Sequence, residues 1–418
     1  MLTLRPTCER AVGMPDTGLK KYGASPRSDG SLGMVTRKTP YSTEISTWAE
    51  FEVHLAAFDS FARTVISGLD LRIPEVEKRV LAVSFDDALL LGCRLTPELS
   101  IRVKQTGGMI FPFFEDLPFD PYRSGLYSVS ELMEGYVRGR PESLGSTSDA
   151  QIYNYYKALR ARGHVPSVLE TLACRIHDHA IDRALDDVLH PSGGEDRRVV
   201  GIMGGHKLRR DDPGYLSVSR IARRLTRSGL YVATGGGPGA MEAGNLGAWF
   251  ADKDEQDLDA AVAVLGPDPS YMNLHYVDRG YDVLDMHPAG QASLAVPTWF
   301  YGHEPSNLFS TSVAKYFANS IREDGLLAIA TFGVIFSPGS AGTIQEIFLD
   351  AAQNHYASLK VVSPMVFLGV EYWTRNRPVF PLLESMSADK PYAKMIAITD
   401  NPAEAVEFIL THQPFIPG

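Results

Sequence analysis

Residues 230–241 read LYVATGGGPGAM, and this stretch decides the fold. An apolar run passes straight into three glycines, and a helical pattern, AMEAGNLGAWFAD (240–252), follows at once. A strand that ends in glycine and enters a helix is one βα unit, with glycine at the turn because it tolerates the dihedrals required there. The rhythm continues on both sides. Upstream, RVVGIMGG (198–205) is a short buried strand, and YLSVSRIARRLTRSG (215–229) is an amphipathic helix ended by Gly229. Downstream, AAVAVLG (260–266) reads as a third strand and NLFSTSVAKYFANSIRED (307–324) as a helix. GVIFSPG is then a strand, TIQEIFLDAAQNHYA a helix, SPMVFLG a strand and PAEAVEFILTH a closing helix. This alternation predicts a Rossmann-like, doubly wound parallel sheet over 196–418, an α/β class, with ligands at the carboxyl edge of the strands.

The earlier part of the chain lacks that rhythm. Residues 1–45 mix Gly, Pro, Ser and charge without periodicity and read as a loosely ordered arm. Residues 46–195 read as an N-terminal α+β domain. Helices are expected at WAEFEVHLAAFDSFARTVI (48–66), DAQIYNYYKALRARG (149–163) and SVLETLACRIHDHAIDRALDDVLH (167–190). Strands are expected at RVLAVSF (79–85) and GGMIFPF (107–113), and HPSGGEDRR (190–198) reads as a linker. No internal repeat is visible.

With 418 residues, two domains are expected. A net charge of −10 gives no general attraction to nucleic acid or anionic lipid, so neither partner is expected. Cys8, Cys93 and Cys174 show neither metal spacing nor a disulfide framework, which suits a reducing cytoplasm. The start, MLTLRPTCERAVGMPD, lacks the apolar core of a signal peptide, and GLLAIATFGVIF (325–336) is too short to span a bilayer.

Three glycine clusters follow strands: Gly204 and Gly205; Gly235, Gly236, Gly237 and Gly239, with Met241 beside them; and Pro338, Gly339, Ser340, Ala341, Gly342 and Thr343. Each can be only a tight turn, yet three on one sheet edge converge on one crevice. A helix N-terminus there is an anion site. Gly235, Gly237 and Ala240 also fit G-x-G-x-x-A, a dinucleotide fingerprint, but the acidic residue that should end the next strand falls in the polar loop DKDEQD. GSAGTIQE has no Lys before Ser or Thr, so it is not a P-loop. His179, Asp182 and Asp186 share a helical face, better read as a solvated face than a metal site. Arg123, among Tyr122 and Tyr127, reads as a packing or surface residue. Thr343 and Glu346 fit T-x-x-E, a capping box.

The region from about 198 to 400 resembles the LOG family of nucleoside 5′-monophosphate phosphoribohydrolases, often filed as lysine decarboxylase-like. The family pattern P-G-G-x-G-T-x-x-E is met by Pro338 through Glu346, with Ser340 at the second glycine. GGGPGAMEA resembles the family's earlier glycine segment. The long N-terminal region looks more like the larger bacterial nucleotide nucleosidases than the short plant enzymes. Arg322, in NSIREDG, stands for the family's catalytic arginine, one residue further from Pro338 than usual, and the H-E-R-K run is missing.

The resemblance implies hydrolysis of a nucleoside 5′-monophosphate to free base and ribose 5-phosphate, no metal or other cofactor, and a homodimer or larger assembly. The 5′-phosphate would lie on the N–H groups of 339–343. Glu346 would stabilise charge at C1′ or activate water, kept ionised by the helix dipole. Two other readings are a nucleotide-sensing module without turnover and an NAD(P)-dependent oxidoreductase.

Overall fold

The computed structural model describes residues 43–161, 163–302 and 305–417. The expected arm, apart from its last three residues, lies outside them, as does Cys8. Residues 43–418 form one compact unit, so the boundary expected at 195/196 falls inside it.

The unit opens with four parallel strands paired in chain order: β1 (Thr43–Ile45), β2 (Thr64–Ser67), β3 (Leu89–Leu91) and β4 (Met109–Phe111). Between them run α1 (Trp48–Ala57), α2 (Pro74–Val80) and α3 (Pro97–Gln105). Strand and helix thus alternate here too, stacked as βα units although the sequence shows no repeat. Phe51, Phe61, Ile66, Phe85 and Leu90 form their core. The helix expected over 48–66 ends at Ala57, and Thr64–Ser67 is strand instead. RVLAVSF is not a strand either. Arg79 and Val80 close α2, and Val83 and Phe85 reach the core from a turn. The apolar residues that pair are Leu89–Leu91.

Three helices follow: α4 (Val129–Leu132), α5 (Ser148–Leu159) and α6 (Val168–Leu189). The large sheet then begins, its strands and helices being β5 (Val199–Met203), α7 (Pro213–Arg227), β6 (Tyr231–Thr234), α8 (Ala240–Trp249), α9 (Glu255–Leu265), α10 (Tyr276–Met286), β7 (Leu294–Ala295), β8 (Ser312–Val313), α11 (Asn319–Ile329), β9 (Val334–Phe336), α12 (Ala341–Tyr356), β10 (Met365–Leu368), α13 (Val379–Ser387), β11 (Ile396–Thr399) and α14 (Pro402–Thr411). The seven strands are parallel, in the order β11-β10-β9-β5-β6-β7-β8. This is the doubly wound, Rossmann-like α/β sheet that the sequence predicts. Along β5, Val199 and Met203 face one core while Val200 and Ile202 face the other, the period of two that a sheet covered on both sides requires. The core of Val199 and Met203 also takes in Ile152, Leu159, Ile181 and Leu185 of α5 and α6. The N-terminal helices therefore share a core with the sheet.

Two expected elements change identity. AAVAVLG belongs to α9. Asp254 and Asp257 form a capping box at its start, and Leu258, Ala261 and Leu265 bury at helical spacing. The expected helix 307–324 is a loop and strand until Ala318. Val313 exchanges both backbone hydrogen bonds with Tyr127, at 2.9 and 3.0 Å. The Asp178 carboxylate then accepts the N–H groups of Phe317 (2.8 Å) and Ala318 (2.9 Å), and α11 starts there. Chain order leaves β5 for β6 on one side and β9 for β10 on the other. The sheet's switch point is the β5–β9 gap, where open α/β sheets bind ligands.

Candidate functional site

A cavity of about 500 Å³ opens at that edge. All three glycine loops reach it: Gly204 and Gly205, then Gly235, Gly236 and Gly237 with Met241, then Ser340, Ala341, Gly342 and Thr343. Gly239, Pro338 and Gly339 do not line it. A Cβ on Gly239, whose φ is +72°, would sit 2.4 Å from the Gly205 carbonyl oxygen, so this glycine lets two loops touch. Gly339 lies against the Thr343 side chain, and its carbonyl accepts the Tyr372 hydroxyl at 2.5 Å. Pro338 belongs to the same turn; its carbonyl accepts the Gly205 N–H at 3.0 Å.

Ser340 is the N-cap of α12 and makes no side-chain cap hydrogen bond. Residues 341–343 are the first three of the helix and line the cavity, so their N–H groups are the donors a helix start leaves over. A Cβ added to Gly342 would meet nothing within 4 Å. Of the residues expected to cradle an anion, 339–343, Gly339 lies off the cavity and the free helix-start N–H groups are those of 341–343. Thr343 is the third residue of α12 and not its cap, so Thr343 and Glu346 form no capping box.

Glu346 turns to Arg322 instead. The guanidinium donates to its carboxylate at 3.2 Å and to the Val296 carbonyl at 2.8 Å. Arg322 starts from the first turns of α11 and lies against Gly235, where a Cβ would approach a guanidinium nitrogen to 2.2 Å. Glycine at 235 is what lets the arginine cross. Burial pushes the Glu346 carboxyl above its ordinary range; Arg322 opposes the shift and Glu323 adds to it. The expected lowering by the helix dipole is therefore overturned, since desolvation outweighs the few tenths to one kcal/mol that a helix end supplies. One turn on, Asp350 is wholly buried with an unpartnered oxygen, and burial alone pushes its pKa up to about 8.

Several lining residues carry no motif: His206, Thr298, Tyr301, Ser306, Lys315, Glu323 and Gln345. Glu323 accepts the Tyr301 hydroxyl at 2.8 Å and the Gln345 amide at 2.5 Å. Lys315 is paired at 2.6 Å with Asp149 of α5, which also accepts Trp299 Nε1 (2.7 Å) and Ser306 Oγ (3.0 Å). A lysine followed by aromatics inside an apparent helix gives no local signal of this.

The remaining candidates lie elsewhere. His179, Asp182 and Asp186 are exposed on α6, and Asp182 accepts the Tyr316 hydroxyl at 2.9 Å. Their neighbours His177 and Asp178 are the buried pair. Arg123 donates twice to Glu131 at 3.1 Å, stacks on Tyr127 and lines a second cavity of about 680 Å³ that shares no residue with the first. The dinucleotide fingerprint lacks its structural context, because α9 follows α8 where the next strand should stand. Among the described residues no cluster of three metal-ligating side chains occurs, and no helix is long and apolar enough to cross a membrane.

No protein-family model and no curated protein matches the chain. Solved structures match about half of it. The molybdenum cofactor binding protein from the phototrophic bacterium Rippkaea orientalis is 14% identical with a TM-score of 0.33, over 52% of this chain and 98% of that one. The Moco carrier protein from Chlamydomonas reinhardtii is 15% identical with a TM-score of 0.31, over 51% and 98%. A further structure of the Chlamydomonas protein gives 14%, 0.32, 52% and 99%. Matches at this level carry no conclusion about activity.

Proposed function

We propose that the protein hydrolyses the N-glycosidic bond of a nucleoside 5′-monophosphate, in the manner of the LOG family, giving free base and ribose 5-phosphate. The observation that carries this reading is the Arg322–Glu346 pair, 3.2 Å apart, beside the open start of α12 in a glycine-walled cavity. The amides of 341–343 would hold the phosphate. Glu346 would face C1′, where positive charge develops as the base leaves, and would take the proton of the attacking water. A carboxyl raised by burial is a better proton acceptor than an ordinary one. Arg322 would keep that carboxyl oriented and ionised until water attacks, and no metal or cofactor is invoked. The LOG resemblance also implies a homodimer or larger assembly, which sizing in solution would test.

Incubation with a panel of nucleoside monophosphates, followed by chromatography for free bases, tests the reaction. AMP should be turned over and adenosine should not, because the phosphate's binding energy must hold the ribose against Glu346. Equal kcat/KM for the two would defeat the proposal. A tightly bound but uncleaved nucleotide would instead favour a sensor.

A further inference from the structure

The crevice has an order along it. At one end are the α12 amides and the Gly204–Gly205 loop. In the middle Arg322, tied to Val296 just past β7, meets Glu346 of α12. Farther along the sheet order β9-β5-β6-β7-β8, Thr298 follows β7 and Lys315 follows β8, with Ser306 in the loop between those strands. A nucleotide has the same order of phosphate, ribose and base. With the phosphate on α12 and C1′ at Glu346, the base extends toward Lys315.

Lys315 is an unusual wall residue. It is only 4% exposed, and buried lysines are rare unless paired. Its described contacts are the Asp149 carboxylate at 2.6 Å and the Trp299 ring 5.2 Å away. An ammonium has three donors, and Asp149 takes one. Asp149 in turn accepts Trp299 and Ser306, so the pair is fixed from several sides. A buried ion pair is weak evidence for stability, since apolar residues of similar volume often serve as well. On a cavity wall its better explanation is a ligand.

We propose that Lys315 is a catalytic residue that donates to N7 of the departing purine. This rests on the nucleosidase reading above. When the C1′–N9 bond breaks, its electron pair moves onto the purine. Lys315 passes a proton to N7, so a neutral purine leaves. The water oxygen bonds to C1′, and its proton goes to the Glu346 carboxylate. After release, Glu346 loses that proton to solvent and Lys315 regains one. Asp149 is a positioning residue that aims the ammonium.

The test compares AMP and GMP with their 7-deaza counterparts, in which N7 is replaced by CH, and with UMP and CMP. Wild type should cleave the 7-deaza nucleotides about 10²-fold or more slowly, and UMP and CMP poorly. Lys315→Met should slow AMP and GMP by about 10² to 10⁴-fold and abolish the 7-deaza discrimination. Lys315→Met/Asp149→Asn removes both charges together and should behave alike, with its unfolding temperature near that of wild type. Equal wild-type rates on natural and 7-deaza nucleotides overturn the proposal without any variant. A Lys315→Met enzyme that still discriminates, or a wild type that prefers pyrimidines, also overturns it. No base released from any monophosphate defeats the nucleosidase reading and this inference with it. Release that is indifferent to N7 defeats only the inference.

Discussion

Helices α8 and α12 invite comparison. Each follows a parallel strand and a glycine turn at the same sheet edge, and each carries a buried glutamate paired with an arginine. Their surroundings differ. At α8, Ala240 donates to the Gly205 carbonyl, and Gly239 packs against the same carbonyl. Glu242 accepts three hydrogen bonds: Arg210 donates through Nε at 3.0 Å and through a terminal nitrogen, and the Tyr276 hydroxyl donates at 2.5 Å. Arg210 also donates to the Tyr276 carbonyl at 2.7 Å and stacks on its ring. That ion pair is held from three sides and ties the β5–α7 loop to α8 and α10. At α12 the cap is open, and Glu346 has one described hydrogen bond, to an arginine on a cavity wall. Both are strand-to-glycine-to-helix units, but one is closed on itself and the other opens into the cavity.

The largest expected effect breaks this symmetry at Glu346. Glu346→Gln should slow base release by about 10² to 10⁴-fold, because an amide cannot take a proton. Nucleotide affinity should hold or rise, since a carboxylate near phosphate is removed, and the loss of stability should be smaller than at Glu242, because the Arg322 and Glu346 side chains are 9% and 11% exposed where those of Arg210 and Glu242 are 1% and 3% exposed. Wild-type kcat in this variant would remove the chemistry from α12.

The same substitution at the other pair, Glu242→Gln, should do the opposite. It leaves the Arg210 charge buried without a counter-charge, which costs about 3–5 kcal/mol. Denaturant melts should show that loss, while the fraction still folded keeps its kcat. Should the two variants lose stability equally, the contrast between a closed and an open pair is wrong.

Asp350, one turn beyond Glu346, gives a pH signature. Burial holds its pKa at about 8 in the folded chain, far above the 3.8 of a solvent-exposed aspartate. Folding therefore favours its protonated form. The stability it permits is complete below about pH 4 and is lost as pH rises toward 8, an effect on the order of a few kcal/mol. Asp350→Asn has no such proton to lose. The gap in unfolding temperature between variant and wild type should widen from pH 4 to pH 8; a constant gap would mean that Asp350 is ionised throughout.

The smallest effect concerns how the N-terminal helices position Arg322. Asp178 of α6 holds the Phe317 and Ala318 N–H groups, just ahead of the helix that carries Arg322. Asp178→Ala removes a cap and should cost about 0.5–2 kcal/mol of stability. It should lower kcat more than it raises KM, because Arg322 is loosened while the phosphate cradle on α12 is untouched. A change in KM alone would tie α6 to binding instead.

What the sequence determined by itself was the architecture of the C-terminal half and one side of the crevice. Strand-to-glycine-to-helix units are local, so periodicity and turn residues reveal them, and the spacing from Pro338 to Glu346 marks α12 as a candidate anion site. What only the tertiary structure decided depends on partners far away in the chain. Residues 307–318 have helical composition, but Tyr127 pairs with Val313 and Asp178 delays the helix to Asn319. AAVAVLG has strand composition, but a capping box and the burial of Leu258, Ala261 and Leu265 at helical spacing make it helix. Lys315 meets Asp149 across 166 positions, beyond any local window. The direction of the Glu346 pKa shift runs opposite to the expectation for the same reason: the dipole of its own helix can be read from sequence, while desolvation is set by every element that closes around it.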